Sequence, residues 1–193
     1  MSEEKQHRIE KHRPKCEAFA HIVRPIFQTY HTEPYTLYDF CCGNGLTSRY
    51  VADSLAESIV LVDIADIGMR KMIQGKLPNP IYVQASIIDV EVQGNAAVVA
   101  VHACGGLTDR VLEKAVEAKV PFGIMPCCYR LGIAEYDLAL PPDARKQLYK
   151  NQQDYYDTRR IQFAIENGFE ARIERIDSRI SPMNNVLVGI PRR

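Results

Sequence analysis

A chain of 193 residues with 46% hydrophobic and 25% charged residues has the make-up of an ordinary folded domain, long enough to close one core. Lysine plus arginine and aspartate plus glutamate both number 24, so no strongly basic body argues for nucleic-acid binding, although a local basic face stays open. No apolar run nears the roughly 18 residues of a membrane span, and the charged start MSEEKQHRIEKHRPK lacks the apolar stretch of a secretory signal. The expectation is one cytoplasmic domain over 1–193, with no membrane partner.

Residues 1–13 are polar and expected to fray or to add an early turn. From Pro14, suited to a first helical position, apolar residues recur at Phe19, Ile22, Val23, Ile26, Phe27 and Tyr30, the three-and-four spacing of an amphipathic helix. This segment is expected to form a helical cap over about 1–33. Its basic residues Lys11, Arg13, Lys15 and Arg24 are either a solvated face or a substrate-contacting one.

A short apolar run, 36–42, then reads as a buried strand. Gly43-Asn44-Gly45 breaks it, 46–55 takes up helical spacing, and a second apolar run, 59–62, ends on Asp63. Strand, glycine turn, helix, strand, acid is the layout of a nucleotide-binding βαβ unit, and the step from Gly43 to Asp63 matches the roughly 20 residues between glycine turn and ribose-binding acid. Glycines let backbone approach a ligand with no Cβ in the way. The helix that follows is expected to point unpaired N–H groups at the ligand. Three positions after Gly45 stands Ser48, where a dinucleotide fingerprint would want glycine, so a nicotinamide cofactor is disfavoured.

Further on, 67–75 reads as a short helix and 81–85 as a third strand running into Ser86-Ile87-Ile88-Asp89. A continuous apolar strand, 96–101, leads to His102-Ala103-Cys104-Gly105-Gly106-Leu107-Thr108-Asp109, with Thr108 or Asp109 expected to cap a helix over 110–118. A fifth strand, 120–125, ends in Pro126-Cys127-Cys128-Tyr129-Arg130. After a loop over 131–142, Asp143 is expected to cap a long helix that runs to Asn167 and exits at Gly168. Strands over 170–176 and 185–190 read as a closing antiparallel pair. Tyr129, Tyr136, Tyr149, Tyr155 and Tyr156 lie among Arg130, Arg145, Lys146, Arg159 and Arg160. That mixture can stack bases and neutralise phosphates, or it can be a solvated helix with a tyrosine face.

Five of the six cysteines, with His102, fall at the carboxyl ends of strands, where open α/β sheets bind ligands. Adjacent cysteines sit about 3.8 Å apart at Cα, short for a disulfide, so free thiols are expected. A thiolate–imidazole metal site is the weaker alternative, because C-x-x-C spacing is absent; no metal is expected. Small buried strand-end residues, or a lining for cofactor and substrate, are the other readings.

Asp39-x-Cys41-x-Gly43-x-Gly45 resembles the first motif of class I S-adenosylmethionine (SAM) dependent methyltransferases, D/E-x-G-x-G-x-G, with Cys41 in place of the first glycine. HACGGLTD followed by PCCYR resembles the group that contains the tRNA acceptor-stem 2′-O-methyltransferases and related methyltransferase-like proteins. The resemblance covers about 39–130, and the zinc-finger segments associated with the tRNA enzymes are absent. It implies a Rossmann-like fold with a seven-stranded, mostly parallel sheet, helices on both faces, and strands one, four and five side by side. It implies SAM as cofactor, with S-adenosylhomocysteine (SAH) as its product. Asp39, Cys41, Cys42, Gly43, Asn44 and Gly45 would hold the methionine end, Asp63 and Ile64 the ribose side, and Ser86 and Ile87 the adenine. His102 would lie under the cofactor and orient or deprotonate an oxygen or nitrogen acceptor, with Cys127, Cys128 and Tyr129 as the acceptor wall. RNA and a small molecule are both open as acceptor, as is a non-catalytic SAM-binding module, in a monomer or small homo-oligomer.

Overall fold

Side chains alternate between the two faces of a strand, and here both faces are apolar. On β1 (Tyr35–Phe40), β2 (Ala56–Asp63) and β4 (Ala96–Ala100), Leu37, Ile59, Leu61, Ala97 and Val99 join one buried cluster. Tyr38, Phe40, Val60, Val62, Val98 and Ala100 join the other. Such a sheet must be covered on both sides. The computed structural model describes residues 3–65, 77–101, 103–126 and 142–192, with side chains described from 11 and from 153 onwards in the two longest helices. Helix α1 (Glu3–Tyr30) covers the first face through Phe19, Val23 and Phe27, all wholly buried. Helix α2 (Leu46–Val51) follows β1. Helices α3 (Gly106–Ala118) and α4 (Pro142–Glu166) cover the second face with Val111, Leu112, Ala115, Ile161 and Ala164.

With β3 (Pro80–Gln84), β5 (Phe122–Ile124), β6 (Phe169–Arg175) and β7 (Asn185–Pro191), the sheet has seven strands in the order β3-β2-β1-β4-β5-β7-β6. All neighbours are parallel except the pairs made by β7. This is the expected Rossmann-like methyltransferase arrangement. Strand order reverses between β1 and β4, so the loops leaving these two strands open a crevice at the carboxyl end of the sheet. Packing under α1 is close: a Cβ on Gly123 would lie 2.6 Å from a Val23 methyl.

Several boundaries differ from the local pattern. Pro14 and Pro25 both lie inside α1; each removes one backbone donor, but the apolar stripe from Phe19 to Phe27 holds the helix on the sheet. Helix α2 stops at Val51 because Asp53 turns the chain, its Oδ1 accepting from the amides of Leu55 and Ala56 at 2.9 and 3.1 Å. Strand β1 ends at Phe40 because Cys41 takes a positive φ of 54°, which a ladder cannot continue. Helix α3 begins at Gly106, so Thr108 and Asp109 sit inside its first turn rather than before it. Helix α4 starts on Pro142, ahead of the expected cap at Asp143. The expected helix over 67–75 lies outside the described residues.

Helix α1 leads into β1 and α4 into β6, and both strands run the same way. The N-terminal halves of both helices therefore lie at the crevice end. Cys16 is level with the first turn of α2, its Sγ 3.8 Å from Thr47 Oγ1. Asp154 is level with the strand ends, accepting from Arg175 and Asn185. The stretches beyond, 3–15 and 142–153, extend about 20 and about 18 Å past those levels at 1.5 Å per residue.

Candidate functional site

The crevice is built around the turn after β1. Cys41, Gly43 and Gly45 all have positive φ, at 54°, 53° and 68°. The turn closes with the Gly45 amide on the Cys42 carbonyl at 2.8 Å. A Cβ on Gly43 would meet nothing within 4 Å, so this glycine faces open space. The Gly43 amide donates to Asp63 Oδ2 at 3.0 Å: the step of 20 residues seen in the sequence is a direct bond between the turn and the tip of β2. Asp63 Oδ1 accepts from the Ala65 amide at 3.0 Å. Each carboxylate oxygen keeps further lone pairs for hydroxyl donors.

Asp39 lies beneath the turn and is 1% exposed. Its Oδ2 accepts from the Ser48 hydroxyl at 2.6 Å and the Ser48 amide at 3.2 Å, while its Oδ1 is buried without a partner. Burial drives its pKa up to about 7; the two Ser48 hydrogen bonds pull it down and the Asp63 charge pushes it up. Ser48, read from the sequence only as a break in a fingerprint, is the residue that holds this acid. Three amides of the helix that follows the turn are already taken, against the expectation that they point free at a ligand. The Leu46 amide goes to Asn44 Oδ1, that of Ser48 to Asp39 and that of Arg49 to the Gly45 carbonyl, because a helix this short caps itself.

Beside Asp63, the Ala85 amide donates to the Asp63 carbonyl at 3.1 Å, which fixes the exit of β3 next to the tip of β2. Ser86 caps a 3-10 turn over Ile87–Asp89, its Oγ accepting from the Ile88 amide at 3.4 Å. The Ile87 side chain is buried in the core, whereas Ile64 and Ile88 are 72% and 62% exposed. Ser86, Ile87 and Ile64 thus lie along one edge with Asp63.

Cys41 and Cys42 turn to opposite clusters. Burial first, with the charges of Asp63 and Asp39 adding, pushes the Cys41 thiol up to about 12 and Cys42 higher still. Cys16 is raised to about 11, chiefly by burial. None of these three is in a disulfide, and all are protonated at neutral pH and so poor nucleophiles and metal ligands. Cys104 is disulfide-bonded, which corrects the expectation of free thiols throughout. The distance argument applied only to neighbours in sequence. Among the described residues, no group of three or more His, Cys, Asp or Glu converges to hold a metal ion. His102, Cys127, Cys128 and Tyr129, the expected catalytic and acceptor-wall residues, lie outside the described residues.

On the far side of the crevice, the turn from β4 into α3 is held from within by Thr108, whose hydroxyl donates to the Ala103 carbonyl at 2.5 Å. Arg160, read from the sequence as part of either a nucleic-acid-facing or a solvated basic surface, is instead 5% exposed and bonded to Asp109, Asp157 and the Gly105 carbonyl. Of the basic residues of α1, Lys11 and Arg13 are exposed, while Arg24 is part-buried and donates to the Tyr50 carbonyl.

The model of a family described as methyltransferase domain matches residues 10–132. A glutathione S-transferase C-terminal domain-containing protein of Xenopus laevis is 24% identical over 190 residues, covering 81% of this chain and 31% of its own length. Its Homo sapiens counterpart is 25% identical, covering 80% and 30%. The chain spans about a third of the length of these curated relatives. Among solved structures, the methyltransferase domain of bacterial CtHen1-C superposes with a TM-score of 0.58 at 14% identity, covering 93% of this chain and 99% of that one. Magnesium protoporphyrin IX methyltransferase from Synechocystis PCC 6803 with bound SAM gives 0.56 at 13%, covering 94% and 80%. The 23S rRNA methyltransferase ErmE gives 0.54 at 18%, covering 89% and 67%. At these identities the structural likeness establishes the fold.

Proposed function

The chain belongs to the methyltransferase-domain family, and on that premise we propose that it transfers the methyl group of SAM to an oxygen or nitrogen acceptor. One observation carries the reading: the Gly43–Asp63 bond joins an open glycine turn to an acid at the point where strand order reverses. The residues fit the cofactor. Asp39 offers a buried, unpartnered carboxylate oxygen suited to the ammonium end of a methionine. Gly43 leaves room where a side chain would stand, Asp63 keeps lone pairs for ribose hydroxyls, and exposed Ile64 gives a flat apolar contact beside Ser86 and Ile87 for the adenine.

When bound, SAM supplies an electrophilic methyl on a sulfonium. The protein's share is alignment and exclusion of water. Asp39 and the turn 43–45 would fix one end of the cofactor, and Asp63 with the β3 exit the other. His102, which follows β4 in the chain, is our candidate to orient the acceptor or take its proton, since its pKa class suits a neutral-pH base. Cys127, Cys128 and Tyr129, which follow β5, are the candidate acceptor wall.

RNA is the acceptor class we favour. The overhanging stretch 3–15 carries Lys5, Arg8, Lys11, Arg13 and Lys15, and 142–153 carries Arg145, Lys146 and Lys150. Glu3, Glu4, Glu10 and Asp143 offset part of that charge, but each stretch keeps an excess of cations at the crevice mouth, which suits a phosphate backbone. Calorimetry with SAH on wild type and Asp63→Ala tests the cofactor. Micromolar binding weakened at least tenfold in the variant is expected, and no binding to folded wild type would reject the reading. Tritiated methyl transfer into RNA but not into metabolite pools is then expected. Label entering only metabolites would make the acceptor a small molecule, and cofactor binding with no transfer to either would make the domain a non-catalytic SAM-binding module.

A further inference from the structure

We propose that Arg160 is a positioning residue for methyl transfer: from α4 it clamps the turn between β4 and α3 and sets how that turn borders the cofactor crevice. The inference rests on the methyltransferase reading of the crevice. Its ground is a set of contacts that converge on one guanidinium. Arg160 Nε donates to Asp109 Oδ1 at 2.6 Å and Nη2 to Asp109 Oδ2 at 3.3 Å, a two-point fork. Nη1 donates to Asp157 Oδ1 at 3.0 Å, and Nη2 also reaches the Gly105 carbonyl at 3.3 Å. Asp157 is wholly buried, and its Oδ2 accepts from Asn185 Nδ2 at 3.0 Å. One side chain therefore joins α4, the first turn of α3 and the turn itself, and through Asp157 the network reaches the start of β7.

The turn needs holding. Gly105 has φ 56° and ψ −129°, a conformation open to glycine and costly for other residues. It lies between β4, the neighbour of β1 at the strand order reversal, and α3, so it borders the crevice opposite Gly43. Buried ion clusters add little net stability compared with apolar packing. What a planar fork with fixed donors does supply is direction. Two of these bonds end on Asp109 inside the first turn of α3, and another ends on the backbone of the crevice turn. The clamp thus grips the loop, not merely the helix beside it.

Removing the guanidinium outright would strand two carboxylates and threaten folding, so the informative variants are Arg160→Lys, which keeps charge without the fork, and Asp109→Asn. Two measurements are made on each: hydrogen exchange without ligand, and SAH calorimetry well below the unfolding temperature. The amides to follow are Leu107 and Thr108, bonded to the carbonyls of Cys104 and Gly105. In Arg160→Lys their exchange is expected to rise about tenfold while β1 and β4 keep their protection, and SAH affinity is expected to fall about tenfold. Asp109→Asn should shift both in the same direction by about threefold. A purely structural role would speed exchange across the whole domain and leave the SAH affinity of the folded protein unchanged; either that pattern or unaltered exchange at Leu107 and Thr108 overturns the inference. A wild type that binds no SAH rejects the underlying reading, and the inference with it. A wild type that binds, with variants that bind equally well, overturns the inference alone.

Discussion

Asp39→Asn tests whether the acid under the glycine turn is held at the expense of stability. In the folded protein its pKa is raised from 3.8 to about 7, first by burial. Between those values the folded state keeps a proton that the unfolded state releases, so stability falls as pH rises through this window and levels off above about 7. This sign is opposite to that of a salt-bridged aspartate. At 1.36 kcal/mol per pKa unit, the loss between pH 5 and pH 8 is about 2–3 kcal/mol. The variant cannot ionise there. Its amide oxygen can still accept from Ser48, and the buried NH2 adds a cost that does not depend on pH. Urea unfolding of both proteins at pH 5, 6, 7 and 8 should therefore show the variant gaining about 2–3 kcal/mol on wild type across the series. Parallel curves would refute the reasoning, since they would mean that Asp39 is ionised throughout or exposed to water. Saturating SAH should flatten the wild-type curve, because an ammonium beside Asp39 favours the carboxylate.

Other outcomes follow from the packing. Cys41 sits at φ 54°, a conformation costing about 1–2 kcal/mol for a side-chain-bearing residue. Cys41→Gly should thus fall within about 1 kcal/mol of wild type once glycine's backbone entropy is counted, whereas β-branched Cys41→Val should lose more than about 2 kcal/mol; chemical denaturation separates the two. Gly123→Ala would set a methyl 2.6 Å from Val23 and should cost about 1–3 kcal/mol. A second change, Val23→Ala, should recover part of that loss, so additive effects in the double-mutant cycle would contradict the close approach of α1 to β5.

The amino-acid sequence carried the local chemistry. The apolar runs of β1, β2 and β4, the glycine turn, and the step from Gly43 to Asp63 are set by neighbours within about twenty residues, and the pattern and the geometry agree there. The seven-strand order came from resemblance and not from periodicity, because no local pattern says which strands pair. Tertiary structure alone decided the rest. Cys41 ends β1 although the apolar run continues, since a ladder needs extended backbone and not merely apolar side chains. Ser48 holds Asp39 across nine residues, and Arg160 leaves the solvated face of its helix to meet Asp109, 51 residues earlier. Those pairings depend on which buried polar groups come to lie within hydrogen-bond reach once the layers close. Leaving such a group unpaired in the interior costs far more than in water, so the fold selects partners that sequence spacing does not announce.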